Sequence, residues 1–495
     1  GRQWSGAVSL VLLACSLCAL VAPAASATEL LNAYVTPYGV CRVILHNDGD
    51  AILDLAEPAI LDASGSELPR CWAIAEPYET PPGAYTILSY LPEEAGQHEG
   101  PPGHVLAIGG ERLPVPFSPA PLAATYAVHA TGKGRVYCYI ANESAKPYVV
   151  KEASIANAPV SLSHPAQIPP HDKGLVHGAW ERPESLSYSV PPVTIKLVTA
   201  EGEAFYLFAR LFSPEHTCSF EHQASKDTAE CLTHSFENAR AAADSAIRAG
   251  REWRLTRPRT VRCCNVDLSN NGPELFGQLT DRLHIEPQLT FAEEYRSGEY
   301  AQTFLDAFRT VKRATEPGMF YAQLYADDIH SPGSPLYGLT KMRTMAYLSV
   351  AAGGKGIELR PGLRSEIPLT HRRGLDRLAQ EFNYLQPLIA VSEPVGWAHV
   401  AEDAWCTAHA VQCGDQGALL ILIPKRELDT SESEVSTTID IAPAGIELAG
   451  NGEELGGQNR SLVFERGSEG LRTIASLSVE THVYFLPASR EESLE

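Results

Sequence analysis

Basic residues are scarce in this sequence: 39 lysines and arginines face 60 aspartates and glutamates, giving a formal charge of −21 spread along the chain. Nucleic acid and anionic membranes both demand basic patches, so neither is an expected partner. Long apolar runs are missing after the first 27 residues. No later segment reaches the roughly 20 apolar residues of a membrane-crossing helix, and no transmembrane segment is expected. A disulfide framework is missing too. Of eleven cysteines, Cys15 and Cys18 lie in the apolar N-terminal stretch, and the odd remainder shows no dense spacing. Cys406 and Cys413 fall on one predicted strand and point to opposite faces, so they are not expected to pair. Cys218 and Cys231 lie close enough in sequence to bridge a loop.

What is present begins with a secretory pattern. Arg2 supplies a positive start, Ala7 to Val21 is nearly all apolar, and Ala25-Ser26-Ala27 offers small residues at a cleavage site. Residues 1–27 are read as a signal peptide, which makes a secreted or periplasmic protein the expectation. A lipidation site at Leu12-Leu13-Ala14-Cys15 would leave only a very short apolar stretch before the cysteine.

A tandem repeat follows. GVCRVILHNDGDAILDLAEPAILD at 39–62 aligns without a gap on GRVYCYIANESAKPYVVKEASIAN at 134–157, which lays Asn47 on Asn142. The same offset lays Phe117-Ser118-Pro119 on Phe212-Ser213-Pro214, and each copy carries a Pro-Pro turn, at Pro81-Pro82 and Pro169-Pro170. Short alternating strands with Gly, Pro and Asn turns predict two immunoglobulin-like β-sandwiches, at 28–119 and 120–214. From 215 to 393 the period changes. Strands are expected at 218–221, 260–267, 283–289, 319–326 and 354–359, and helices at 236–253, 273–281, 299–315, 340–352 and 372–389. Phe304, Phe308 and Val311 stand at helical spacing. Alternation of this kind predicts a parallel sheet with helices outside it. From 394 to 495 the pattern returns to β and predicts a C-terminal β-sandwich. The fold class is therefore multidomain α+β.

Two segments carry a family likeness: Met342-Arg343-Thr344-Met345-Ala346-Tyr347-Leu348, then Ala352-Gly353-Gly354-Lys355-Gly356-Ile357, with a helix ending in Arg377 to Pro387 after them. This order resembles the last βα unit of beta-galactosidase-like glycoside-hydrolase barrels and related secreted proteins, in which a β-sandwich follows the barrel. Gly353-Gly354 are expected to cap the helix before the chain re-enters the sheet. Further upstream, Leu279-Thr280-Asp281 and Glu286-Pro287 stand where that family has a helix and then a strand ending in an acid. The family would have Asp there, followed by Tyr-Pro. An eight-fold barrel takes roughly 250 residues, so the resemblance implies a short or degenerate (β/α) barrel.

Glycoside hydrolysis needs two carboxyl groups across the scissile bond, and a parallel barrel presents them at C-terminal strand ends. The candidates are Glu221, Asp267, Glu286, Asp327 with its neighbour Asp328, and Glu358. Counted back from the Gly-Lys-Gly-Ile strand as the eighth, Asp327 and Asp328 follow the seventh strand and Glu221 the fourth. In the resembling enzymes those strands carry the nucleophile and the acid/base. An Asn-Glu pair is usual at the acid position, and Phe220-Glu221 stands there instead. Tyr321, Tyr325 and Tyr337 flank the expected mouth, where rings can stack on sugars, although ordinary packing accounts for them equally well. His216, Cys218, His222, Cys231, His234, Cys263 and Cys264 contain one ligand-like Cys-x-x-His but match no standard zinc module. No metal or cofactor is expected. The reading is a secreted glycoside-hydrolase-like protein that acts on or binds a carbohydrate. The alternative is a non-catalytic surface or scaffold protein that presents a degenerate barrel, with a protein partner engaged through the immunoglobulin-like domains.

Overall fold

The structure is a computed structural model that describes residues 28–93, 103–108, 110–130, 134–163, 166–184, 186, 188–214, 220–221, 229–231, 260–266, 277–287, 300–325, 339–360, 369–425, 434–456, 460–468 and 470–489. The expected signal peptide, the 236–253 helix, Asp267, Asp327, Asp328, Tyr337, His216, Cys218, His222 and His234 lie outside the described residues. Among the described residues no helix is long and apolar enough to cross a membrane. The chain is β-rich, with several sheets and few helices.

The N-terminal strands form a five-stranded sheet in the order Ser118–Pro119, Thr28–Val35, Cys41–Asn47, Tyr85–Pro92, Arg70–Glu76. A three-stranded sheet of Ala59–Leu61, His104–Ile108 and Glu111–Val115 lies beside it, and Val43, Leu45, Ile60, Leu88 and Leu106 fill the space between. The next strands, from Leu122–Ala130 to Ala204–Phe212, form one nine-stranded sheet around Ile140, Val150, Ile195 and Leu207. The repeat has a physical basis in two buried asparagines. Asn47 Nδ2 donates to the carbonyls of Ala51 (2.9 Å) and Thr80 (2.8 Å), while its Oδ1 accepts from Gly49 N (3.1 Å). Asn142 Nδ2 donates to Lys146 O (2.8 Å) and Pro169 O (2.9 Å), and its Oδ1 accepts from Ser144 N (3.0 Å). Each side chain satisfies the backbone of a turn that no ladder reaches. The first strand of each copy also carries its register shift at the matching place, Leu30/Asn32 and Ala124/Tyr126.

A six-stranded sheet follows, parallel at every pairing: Phe220–Glu221, Gly356–Arg360, Met319–Tyr325, Arg282–Pro287, Thr260–Val266, Ala229–Cys231. Helices α1 (Tyr300–Thr315), α2 (Leu339–Ala351) and α3 (Leu369–Ala390) connect and cover it. Phe304, Phe308 and Val311 of α1 are buried as their spacing predicts, and Phe308 stacks on Phe320 with centroids 5.8 Å apart. One face of the sheet is thus an apolar interface with helices, as a parallel sheet requires.

Three expectations need correction. Phe220–Glu221 is not a fourth strand counted back from the last; it pairs directly with the last one, Gly356–Arg360. Ala229–Cys231 is a sixth strand, too short to show a period. Residues 277–280 form a turn rather than the end of a helix. Their carbonyls serve another group: Arg210 Nη1 donates to Thr280 O (2.7 Å) and Nη2 to Gln278 O (3.0 Å). Arg210 also meets Glu76 Oε2 at 3.1 Å and Asp281 Oδ1 at 3.5 Å, with all three side chains essentially fully buried. This knot ties both N-terminal sheets to the entrance of the parallel sheet.

Helix α2 stops as its glycines predict. Gly353 has φ +99°, its N–H donates to Val350 O (2.9 Å), and Gly354 N donates to Ser349 O (2.8 Å). A Cβ on Gly353 would meet Lys312 Cε at 3.0 Å and Pro394 Cδ at 3.3 Å. Gly353→Ala is expected to lower stability by about 1–2 kcal/mol, the cost of an L side chain at positive φ. Urea unfolding checks this, and an unchanged midpoint would contradict the cap.

The strands after α3 form a six-stranded sheet (Ser392–Val395, Cys406–Cys413, Gly417–Pro424, His482–Pro487, Asn451–Glu454, Ser461–Val463) and a four-stranded one (Ala398–Val400, Val435–Ile441, Gly470–Leu477, Glu465–Gly467). Cys406 faces the core between these two sheets. Cys413, on the opposite face of the same strand, packs toward the parallel-sheet core, and both thiols are free.

Candidate functional site

Strand register decides which acids meet. Glu358 pairs with Gln323 on one side and with Glu221 on the other. The next strand over ends its pairing with Ile285 opposite Ala322, so Glu286 and Gln323 are the residues that follow. The register therefore sets Glu221, Glu358 and Gln323 level with one another along three neighbouring strands, in the half of the sheet toward the strand ends, and Glu286 is the residue after the last paired position of the fourth. Asp267 comes directly after Thr260–Val266, and Asp327 two residues after Met319–Tyr325. The sequence grouped these acids by strand end alone, whereas the pairing makes Glu221 the neighbour of Glu358.

Glu358 is fully buried and is held by two side chains. His284 Nδ1 lies 2.6 Å from Glu358 Oε2, and Gln323 Nε2 donates to the same oxygen at 2.5 Å. His284 stands one row below, opposite Tyr321, which in turn faces Gly356. The two hydrogen bonds to Oε2 offset the cost of burying this carboxyl away from water. The 2.6 Å contact with the imidazole fixes the orientation of the carboxyl, which is what a carboxyl used for charge stabilisation or proton transfer needs.

Tyr321 has a different role from the one expected. It is fully buried, its ring stacked on His284 at 5.0 Å (25°) and covered by the Arg282 guanidinium at 5.0 Å. Its faces are occupied by protein, so it supports the His284 ring and does not stack on a sugar. Tyr325 pairs with Arg360 at the end of its strand. Among the former cysteine–histidine group, Cys231 is the register partner of Cys263 in the adjacent strand. Among the described residues the one three-ligand cluster is elsewhere, at Glu29, His46 and Asp48.

Sequence reasoning missed His284 and Gln323. A usable signal was there: both lie two residues from a strand-face position already singled out, as His284-x-Glu286 and Tyr321-x-Gln323.

No known family matches the chain, and no curated protein matches it. Among solved structures, an alpha-amylase from H. orenii is 11% identical with a TM-score of 0.31, covering 50% of this chain and 57% of its own. A GH30 endoxylanase from Clostridium papyrosolvens is 11% identical with a TM-score of 0.32, covering 50% of this chain and 61% of its own. The tandem Ig repeats of Dlar are 16% identical over 38% of this chain and 97% of their own, with a TM-score of 0.20. The chain thus spans about three fifths of the two enzymes, and overlaps this shallow carry no argument about activity.

Proposed function

We propose that this protein is exported and acts on or binds a carbohydrate at the C-terminal ends of its parallel sheet, with Glu221, Asp267, Glu286, Asp327 and Glu358 as the acids available for chemistry. In this reading the sheet is the core of a glycoside-hydrolase-like (β/α) barrel. Two immunoglobulin-like β-sandwiches at 28–119 and 120–214 precede it, the barrel runs from 215 to 393, and a β-sandwich at 394–495 follows. The observation that carries the reading is the register that sets Glu221, Glu358 and Gln323 level with one another, with Glu286 following the last paired residue of the next strand. It is supported by the pairing of the first strand with the last, the order expected of a sheet curling toward closure. Two carboxyl groups suffice for glycosidic hydrolysis, so no metal or cofactor is invoked.

Roles follow from surroundings. Glu358, held by His284 and Gln323, is a fixed carboxyl that orients or stabilises charge. Glu286 and Asp327, at or beyond the strand ends, are the acids for proton transfer or attack. Glu286→Gln and Asp327→Asn are each expected to lower turnover of aryl glycosides and polysaccharides by roughly 10²–10⁴-fold while glycan affinity is kept. Wild-type turnover in both variants would remove these residues from the mechanism.

One observation favours a second reading, a glycan-binding protein without turnover: Glu358 is fully enclosed with its Oε2 already doubly engaged. Under that reading no substrate in the panel is cleaved, while glycan affinity is measurable and unaffected by either variant.

A further inference from the structure

The other end of the parallel sheet holds a cleft of about 520 Å³, in the range that encloses small ligands. Gln278, Glu316 and Ala352 line it, and each precedes one of the strands Arg282–Pro287, Met319–Tyr325 and Gly356–Arg360. The cleft therefore sits where strands begin, away from the strand-end acids. Its other walls come from both N-terminal sheets and from Glu393-Pro394.

In a chain with a formal charge of −21, five of the side chains lining this cleft are cationic: Arg42, Lys173, Arg309, Lys312 and Arg313. Three carboxylates line it as well, and the most buried of them is overcommitted. Glu393 is completely enclosed, with Lys173 Nζ 3.0 Å from Oε1 and Lys312 Nζ 3.5 Å from Oε2. Lys355 stands behind them, 4.0 Å from the centre of the Tyr126 ring. Burial opposes ionisation of Glu393, but the three ammonium groups outweigh it and draw its carboxyl down to about 2. Glu316, 3.8 Å from Lys312, compensates little, because burial pushes its carboxyl up to about 7. Positive charge is thus in surplus.

The unused hydrogen-bonding capacity points the same way. Arg313 is exposed and has no partner among the described residues, and Arg309 meets only Asp306 on its own helix, at 3.4 Å. Deeper in the wall, Tyr34 Oη and Arg42 Nε have no hydrogen-bond partner among the described residues, although these residues are only 2% and 4% exposed. Unsatisfied buried polar atoms cost free energy and mark places where a missing group completes the structure.

We propose that this cleft binds a small carboxylate-bearing ligand of mono- to disaccharide size, a uronic acid being the type, with its carboxylate received by Arg313 and Lys173. Charge-assisted N–H···O bonds supply the affinity, and the planar guanidinium of Arg313 matches a carboxylate edge. Glu393 acts as the anchor that holds Lys173 and Lys312 at the wall. Carboxylate binding stands independently of the strand ends, and the choice of a sugar acid rests on the proposed carbohydrate function.

Titration calorimetry of the full chain with glucuronate and digalacturonate tests it, with glucose and inorganic sulfate as comparison ligands. The expected result is saturable binding of the acidic sugars that weakens as salt rises, with glucose inert and sulfate at least roughly tenfold weaker. Arg313→Ala, which breaks no contact of the fold, should weaken the acidic sugars by roughly tenfold. Absence of saturable binding, equal binding by wild type and Arg313→Ala, or sulfate binding as tightly as the sugars would each overturn the proposal. None of these results bears on turnover at the strand-end acids, so the two readings fail separately.

Discussion

Arg210→Met should cost the protein about 3–5 kcal/mol of stability, among the largest losses a single substitution here can produce. Methionine keeps most of the volume, so the loss is electrostatic rather than a cavity effect. Glu76 and Asp281, 0% and 1% exposed, would lose the guanidinium between them, and the carbonyls of Gln278 and Thr280 would lose their donor. The Phe208 ring, flanked by Arg42 at 5.0 Å and Arg210 at 5.4 Å, would lose one of its two cations. Breaking one partner of a buried ion pair strands the other, which is why the cost far exceeds that of a surface pair. Urea unfolding of Arg210→Met, together with the double variant carrying Glu76→Gln, reads this directly. The double variant should recover part of the loss. A change below about 1 kcal/mol in the single variant would mean that the knot is not what joins the N-terminal sheets to the parallel sheet.

The second large effect belongs to Glu393. Glu393→Ala leaves Lys173, Lys312 and Lys355 without their common carboxylate and is expected to cost about 3–5 kcal/mol at neutral pH. The sign of the pH dependence follows from linkage. The Glu393 carboxyl is held at about 2, below its unfolded value, so its contribution is present above the unfolded carboxylate range and disappears as the pH falls through 2. Lys355 behaves in the reverse way. Burial draws its amine down from 10.5 to about 7 despite the attraction of Glu393, so between pH 10.5 and 7 the unfolded chain binds the proton and the folded one does not. Stability from this group therefore rises with pH across that window. Lys355→Met should remove the rise and leave the melting temperature at pH 7 unchanged or higher, as melting curves recorded across that window would show. A slope retained in the variant would place the titration elsewhere.

Much of the local structure was legible because periodicity is local. The α1 stripe of Phe304, Phe308 and Val311, the Gly353-Gly354 stop and the strand at Met319–Tyr325 all follow from contacts a few residues apart. The Asn47 and Asn142 turns were legible for another reason: each asparagine organises its own neighbours, so the same short pattern repeats. Contacts between distant segments were not legible. Nothing in the residues around Phe220–Glu221 says that this two-residue strand pairs with Gly356–Arg360. His284 meets Glu358, and Arg210 meets Glu76, across stretches in which no local pattern links the partners. Tyr321 shows the same limit from the other side. An aromatic residue near a strand end can face a ligand or a histidine, and only the neighbouring strand decides which.

The central claim is that the strand-end acids form one carbohydrate site, and a crystal structure with a bound oligosaccharide tests it most directly. The account predicts sugar at the C-terminal strand ends beside Glu358 and Glu286, with two carboxyl groups about 5–9.5 Å apart across a glycosidic bond. Sugar bound only on other surfaces, with no two of these acids within about 10 Å, would contradict it.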